Sequence, residues 1–480
     1  MNLYGISGEI FLAISGMIAL LISVFSSNGS SLKITTRFCN LSLLISLILI
    51  VLSHQNSGYL FNEMYVHDAL SRYTKSLILI GTILTLIISS KPQKIDGFNR
   101  PEYPILILFS VIGMLLMASS TNLISLYMAL ELQSLPLYVI AAINRDNLKS
   151  SEAGLKYFIL GALSSGLLLF GMSLVYGAVG DTSFSSISLV SSQGMTSLLL
   201  IGLVFMLSGL AFKISAVPFH MWTPDVYQGA PTPVTNFLAT VSKGAMLIAL
   251  TRFTIDGQLH QYTTFTICLS VLAIISMLVG NWLALRQQQI KRLLAYSSIA
   301  HFGYLLVALV ALRQLQESQQ IFNSSLEAIN FYITAYIITS LAAFTVVANI
   351  GGENDPDMRS FAGLFWRKPL QAGTLTVAML SFAGIPLTAG FLGKFYLITL
   401  ALNTNLWLLL ITLVVGSAIA IYYYLRVIYS MLGIRSPDND YQLSRTPLPM
   451  WRDILAIILM VFVLLLGSWP QPFIDFMRHL

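Results

Sequence analysis

The chain has 480 residues, of which 56% are hydrophobic and only 10% charged, against about a quarter charged in a soluble domain. That balance excludes a water-soluble enzyme core. The net charge of +6 has to be apportioned by position before it argues for any polyanionic partner.

Runs of about twenty apolar residues span a bilayer core as helices, and roughly fourteen recur along the chain by hydropathy. They lie near 5–26, 38–54, 74–91, 103–119, 121–143, 153–176, 197–217, 231–251, 263–283, 291–312, 326–349, 370–402, 406–432 and 453–471. None alternates apolar with polar residues as a β-barrel strand would. The expected fold is an all-α polytopic membrane bundle with no soluble domain. Its longest polar connections are expected at 55–73, 177–195, 313–325, 350–368 and 433–452.

The first run lacks a basic leader and a small-residue cleavage motif, so it reads as an uncleaved span with its N-terminus outside. Arg72, Lys75, Arg252, Arg313 and Arg478 fall on the side shared with the N-terminus. The other side holds many more, among them Lys33, Arg37, Lys91, Lys94, Arg145, Lys149, Lys291, Arg292 and Arg435. The positive-inside rule then puts both termini outside and makes the basic balance a matter of topology, with no nucleic-acid partner expected. Cys39 and Cys268 form no C-x-x-C pair, and the chain has no P-loop and no G-x-G-x-x-G fingerprint. Metal, iron–sulfur and nucleotide sites are therefore not expected in it.

Four charges interrupt the apolar runs: Glu131 in LYMALELQSLPLY, Lys213 in FMLSGLAFKISAVPF, Lys243 in NFLATVSKGAMLIAL and Lys394 in GIPLTAGFLGKFYL. A charge at bilayer depth costs about 2.5–3.5 kcal/mol even on insertion scales, and its default reading is an ion path. The competing readings are a protonated or hydrogen-bonded carboxyl for Glu131 and snorkelling toward the headgroups for the lysines. Glu131 and Lys213 are of opposite sign and suit a coupled pair. All the interior basic candidates are lysine, the cation that gives up its proton more readily than arginine on burial. His301 and His220 are further titratable candidates, each equally readable as a structural hydrogen-bonding group. Glu152 and Lys156 stand at i, i+4 and suit a local ion pair. Glu9 is a solitary acid of the first span, and Tyr422, Tyr423 and Tyr424 read as packing or interface groups.

Pro218 follows Lys213, and Gly384, Pro386 and Gly390 precede Lys394. Such breakers interrupt helices, and broken helices at membrane depth are tolerated only against protein or water. Paired breaks in the seventh and twelfth spans point to an internally repeated transporter.

The segments HMWTPDVYQGAPTPV, IKRLLAYSSIAHFGYLLVAL and LSFAGIPLTAGFLGKFYL resemble the antiporter-like membrane subunits of bacterial respiratory complex I, NADH:quinone oxidoreductase, from about the fourth span onward. Lys394 argues against the subunit M branch, which has a glutamate there. The chain shows no long lateral helix of the subunit L kind, so subunit N is the matching branch. The resemblance implies fourteen helices in one antiporter-like domain: helices 1–3 over about 1–100, inverted five-helix repeats over about 101–255 and 256–432, and a loop and last helix over about 433–480. It implies proton translocation driven by quinone reduction elsewhere. Glu131 and Lys213 would be the coupled pair, Lys243 the relay, His301 its assistant and Lys394 the terminal site. FMN, iron–sulfur clusters and quinone would belong to partner subunits, with neighbouring antiporter-like subunits and membrane lipid as further partners, in the bacterial inner membrane. A subunit of a multi-subunit cation/proton antiporter and the ferredoxin-linked photosynthetic relative are the alternatives the resemblance leaves open.

Overall fold

The structure, a computed structural model, describes residues 3–26, 31–53, 57–89, 100–192, 194, 196–313, 319–350, 357–433 and 450–479. The expected polar connection at 433–452 lies mostly outside these residues, as do Lys91, Lys94 and Arg435. The chain is helical almost throughout and forms two compact units. Unit 1 comprises Met1–Ile214, Gly229–Phe265 and His479–Leu480; unit 2 comprises Ser215–Gln228 and Thr266–Arg478.

Unit 1 begins with α1 (Ser7–Phe25) and α2 (Ser31–Leu52). An antiparallel hairpin of β1 (Gly58–Leu60) and β2 (Tyr65–His67) follows, where the sequence suggested only a polar connection. Next comes α3 (Ala69–Ser89), which starts five residues earlier than the apolar run at 74–91. The reason is a reciprocal cap: Asp68 Oδ1 accepts from Ser71 N at 2.8 Å, and Asp68 N donates to Ser71 Oγ at 2.9 Å. Arg72 thereby becomes a buried helix residue rather than a loop charge, with Lys75 buried one turn on.

The unit continues with α4 (Glu102–Ala118), α5 (Leu123–Ala141), α6 (Leu148–Val179), α7 (Phe184–Ser192) and α8 (Ser197–Ile214). Asn122 and Asn147 cap α5 and α6 by accepting from Ile124 N and Lys149 N. Gly180, at φ 79°, closes α6. After the segment assigned to unit 2, the chain returns as α10 (Thr232–Phe237), a π-helical turn (Leu238–Ser242) and α11 (Lys243–Asp256).

Unit 2 opens with Ser215–Gln228, which contains most of α9 (Trp222–Gly229). It resumes with α12 (Thr263–Leu285), α13 (Ile290–Ala311), α14 (Gln319–Ile350), a short α15 (Leu364–Arg367), α16 (Pro369–Ala383), α17 (Ala389–Asn403), α18 (Trp407–Leu432), α19 (Met450–Ser468) and α20 (Gln471–His479). The apolar run at 370–402 is thus two helices, parted where Gly384 and Pro386 stand.

Among the described residues twelve helices are long and apolar enough to cross a membrane, with three shorter apolar ones. Helices α1, α2, α12, α18 and α19 leave Val24, Leu52, Trp282, Leu408 and Ile458 exposed. Large side chains of this kind on the outer surface suit hydrocarbon, not water. By contrast Thr232–Asp256 and α13 are buried along their whole apolar windows. The candidate charges sit on or beside these interior helices.

Candidate functional site

In unit 1 the site is assembled on α5. Glu131, Ser134 and Tyr138 follow one another at i, i+3 and i+7, which puts them on one helix face. Lys213, in the last turn of α8, reaches that face. It is 7% exposed, and its Nζ donates to Ser134 Oγ at 2.8 Å and to Tyr138 Oη at 3.0 Å. Ser134 passes the chain on to the Leu130 carbonyl at 2.7 Å. Glu131 is half-buried, and its Oε1 is buried with no hydrogen-bond partner. Among the described residues no ion pair joins Glu131 to Lys213. Two neutral hydroxyls hold the ammonium, and the carboxylate acts on it through space from one turn away.

Small residues bring these parts together. α8 lies closely along α6, where Cβ atoms on Gly209 or Gly171 would come within 2.7 Å of Leu168 Cβ or 2.6 Å of Met206 N. Gly161, also on α6, leaves room for the phenol: a Cβ there would stand 2.2 Å from Tyr138 Oη.

Lys243 opens α11 immediately after the π turn and is 1% exposed. Gln133, next to Ser134 on α5, donates from Nε2 to Ser242 Oγ at 2.7 Å. One turn of α5 therefore holds both Lys213 and the residue preceding Lys243. Asn236, fully buried two turns earlier, has neither Oδ1 nor Nδ2 hydrogen-bonded. π turns inside α-helices are rare and concentrate at functional sites.

In unit 2 the site surrounds the break between α16 and α17. Gly384, at φ 82°, ends α16 with its N–H on the Leu380 and Ser381 carbonyls while Ile385 N also bonds Leu380 O. Lys394, 5% exposed, donates from Nζ to the Phe382 and Ala383 carbonyls at 2.9 and 3.0 Å. It places its cation on the negative end of a half-helix. His301, 3% exposed on α13, bonds Tyr332 Oη through Nδ1 at 2.7 Å and Tyr424 Oη through Nε2 at 3.2 Å. Tyr424 in turn bonds Ser297.

A cavity with room for about one water molecule is lined by His301, Tyr332, Thr339, Ser381, Phe382 and Gly390. Phe382 gives its ring to this cavity and its carbonyl to Lys394, so the break brings histidine and lysine to one place. On the other side, Lys394 Nζ stands 5.3 Å from the Tyr304 ring centre. Tyr304 Oη accepts from Asn281 at 2.8 Å, and Tyr423 donates to Asn281 at 2.9 Å.

A family model described as NADH:quinone oxidoreductase/Mrp antiporter, TM, matches residues 120–420, more than half of the chain. The chain belongs to this family. It is 43% identical over 462 residues to the NADH-quinone oxidoreductase subunit N of Rhodospirillum rubrum, covering 95% of this chain and 93% of that one. It is 39% identical to subunit N 1 of Rhizobium meliloti, covering 96% and 94%. A chain of respiratory complex I from Thermus thermophilus with bound aureothin superimposes with a TM-score of 0.83 at 32% identity, covering 98% of both. A chain of the Mrp complex from Dietzia shares the fold, with a TM-score of 0.84 at 19% identity over 100% of this chain and 97% of that one.

Two of the motifs that signalled this antiporter-like family meet in unit 2. Arg292 donates to Asp225 Oδ1 at 2.7 Å and to Gln228 Oε1 at 2.9 Å, and Lys291 donates to the Gln228 carbonyl at 3.0 Å. These bonds explain why Ser215–Gln228 belongs with unit 2. His220 lies in that segment, buried. Glu152 and Lys156 form a local pair at 2.7 Å with side chains 62% and 42% exposed, and the structure does not bring them to Lys213. Tyr422 is exposed, whereas Tyr423 and Tyr424, read from sequence as packing groups, are buried and hydrogen-bonded. Glu9 is not solitary: it pairs with Lys75 at 2.7 Å.

Proposed function

We propose that this chain is a proton-translocating membrane subunit of an NADH:quinone oxidoreductase, the activity its subunit N relatives are named for. Other subunits of such a complex, neighbouring antiporter-like ones included, would be its partners and would hold the FMN, iron–sulfur clusters and quinone. The bacterial inner membrane would be its location, with both termini on the periplasmic side. The observation that carries this reading is Lys213, a buried lysine at the end of an interrupted span, held by two neutral hydroxyls beside a half-buried carboxylate.

A cation in such a place has no fixed counter-charge in contact, so a change in the charge of Glu131 alters how well its proton is held. Ser134 and Tyr138 keep the ammonium in place and offer lone pairs along which a proton can leave. In the proposed cycle Glu131 modulates, Lys213 loads, Lys243 relays with His301 assisting, and Lys394 terminates on the carbonyls of α16. The two five-helix sets are read as repeats. Gly113 and Gly280 support this, because each lets the first helix of its set approach the backbone of the second: Gln133 N at 2.4 Å and Ala300 N at 2.8 Å from an added Cβ.

The test is Lys213→Ala in the assembled complex reconstituted in vesicles. Protons moved per electron should fall with electron transfer to quinone still measurable. An unchanged ratio would reject the role.

A further inference from the structure

A second buried charge cluster lies in unit 1, outside the residues invoked so far. Glu9 in the first turn of α1, Tyr65 on β2 and Lys75 on α3 are 3%, 5% and 0% exposed. Lys75 Nζ contacts Glu9 Oε1 at 2.7 Å and donates to Tyr65 Oη at 2.6 Å, while Tyr65 donates to the same Glu9 oxygen at 2.7 Å. Glu9 Oε2 is buried with no hydrogen-bond partner. One carboxylate oxygen therefore takes two strong donors and the other takes none.

A buried ion pair stabilises a fold little better than apolar residues of the same volume, and inside a bilayer such pairs are kept for ion pathways. Of the neighbouring charges, Arg252 is matched by two carboxylates. Asp68 pairs with Arg252 of α11 at 2.7 Å, and Arg252 also lies 3.7 Å from Asp256. Burial works to raise the Asp68 carboxyl, but the Arg252 guanidinium and the Ser71 bonds outweigh it and hold Asp68 below its ordinary value. Burial, with Lys75 and Arg72 nearby, keeps His67 below its ordinary value, and its Nε2 bonds Ser53 at 3.0 Å. The exchangeable pair is thus Glu9 and Lys75. Helix α3 packs along α10, the π turn and α11, the span that carries Lys243.

We infer that Glu9 and Lys75, positioned by Tyr65, form an additional proton site in unit 1, at the end where the N-terminus enters. The step is a transfer within the pair. An N–H bond of the Lys75 ammonium breaks, its electron pair stays on Nζ, and an O–H bond forms on Glu9 Oε1, leaving a neutral amine and a neutral acid. The acid gives its proton outward, and the amine is reloaded from the lysines of the same unit. This inference rests on the proton-translocating function proposed above.

The experiment compares Lys75→Arg, the double variant Glu9→Gln/Lys75→Met, Tyr65→Phe and Lys213→Ala in the assembled complex, reading protons moved per electron. Arginine keeps the ion pair but cannot release its proton. The double variant removes both charges at similar volume. If the site lies in series with Lys213, Lys75→Arg and the double variant each lower the ratio as much as Lys213→Ala does. Adding Lys213→Ala to either lowers it no further. A normal ratio in an assembled Lys75→Arg or double variant overturns the inference. Failure of both to assemble, with Tyr65→Phe pumping normally, makes the cluster a structural clamp and also overturns it. A normal ratio in Lys213→Ala would instead sink the underlying function.

Discussion

Lys213 has two hydroxyl acceptors, and they are unequal in what else they do. Ser134 is tied to its own helix through the Leu130 carbonyl, whereas Tyr138 reaches the lysine across the gap left by Gly161. A hydrogen bond to a charged group contributes about 1.5–3 kcal/mol. Tyr138→Phe removes one such bond and keeps the ring packing on Tyr157. It should therefore slow proton transfer about tenfold or more while leaving assembly intact, which proton-uptake kinetics in vesicles would report. At this scale much was open to sequence reasoning, because a charge inside an apolar run is conspicuous: Lys213, Lys243, Lys394 and His301 all announce themselves. Tyrosine does not, since the same side chain suits a greasy contact or a hydrogen-bond chain. Nothing local distinguished exposed Tyr422 from the bonded Tyr423 and Tyr424 beside it. Arg72 was misread as a loop charge because hydropathy sees the apolar run and not the Asp68–Ser71 cap that begins the helix before it.

Among the elements, the π turn ahead of Lys243 gives the sharpest test. Each residue advances an α-helix by about 100°, and a π turn carries one residue more than the α ladder needs. Deleting Ala239 should therefore let α10 run into α11 as plain α-helix, with Lys243 still facing its present neighbours but the widened turn beside it gone. The expected result is a complex that still assembles, with protons per electron lowered. A normal ratio would show that the widened turn is immaterial. No residue type in NFLATVSKGAML announces such a turn, so it was not readable in advance. The α16–α17 break was readable, because Gly384 supplies the left-handed conformation and Pro386 lacks a backbone donor. What the sequence lacked there was the reason for the lysine: it caps the very carbonyls that the break exposes.

For the whole molecule, the apolar runs conveyed the class and the motifs conveyed the family, but neither hinted that a segment following α8 is held by unit 2. Three of the five basic residues counted on the N-terminal side, Arg72, Lys75 and Arg252, are buried rather than facing water. Lys291 and Arg452 of the other side are buried as well, yet that side stays the richer in positive charge, so the positive-inside rule still predicts both termini outside. Reporter fusions at each terminus should both be active as periplasmic reporters and inactive as cytoplasmic ones. A cytoplasmic signal from either end would reverse the topology.

The bond between Asp225 and Arg292 spans 67 positions of chain. At about 5–20 residues per second of synthesis, the aspartate is added to the chain roughly 3–13 s before Arg292 is. For that interval the stretch after α8 has been made, but the groups that fix it have not. Maturation of this membrane chain therefore cannot proceed strictly one hairpin at a time; an early piece must wait for a late one.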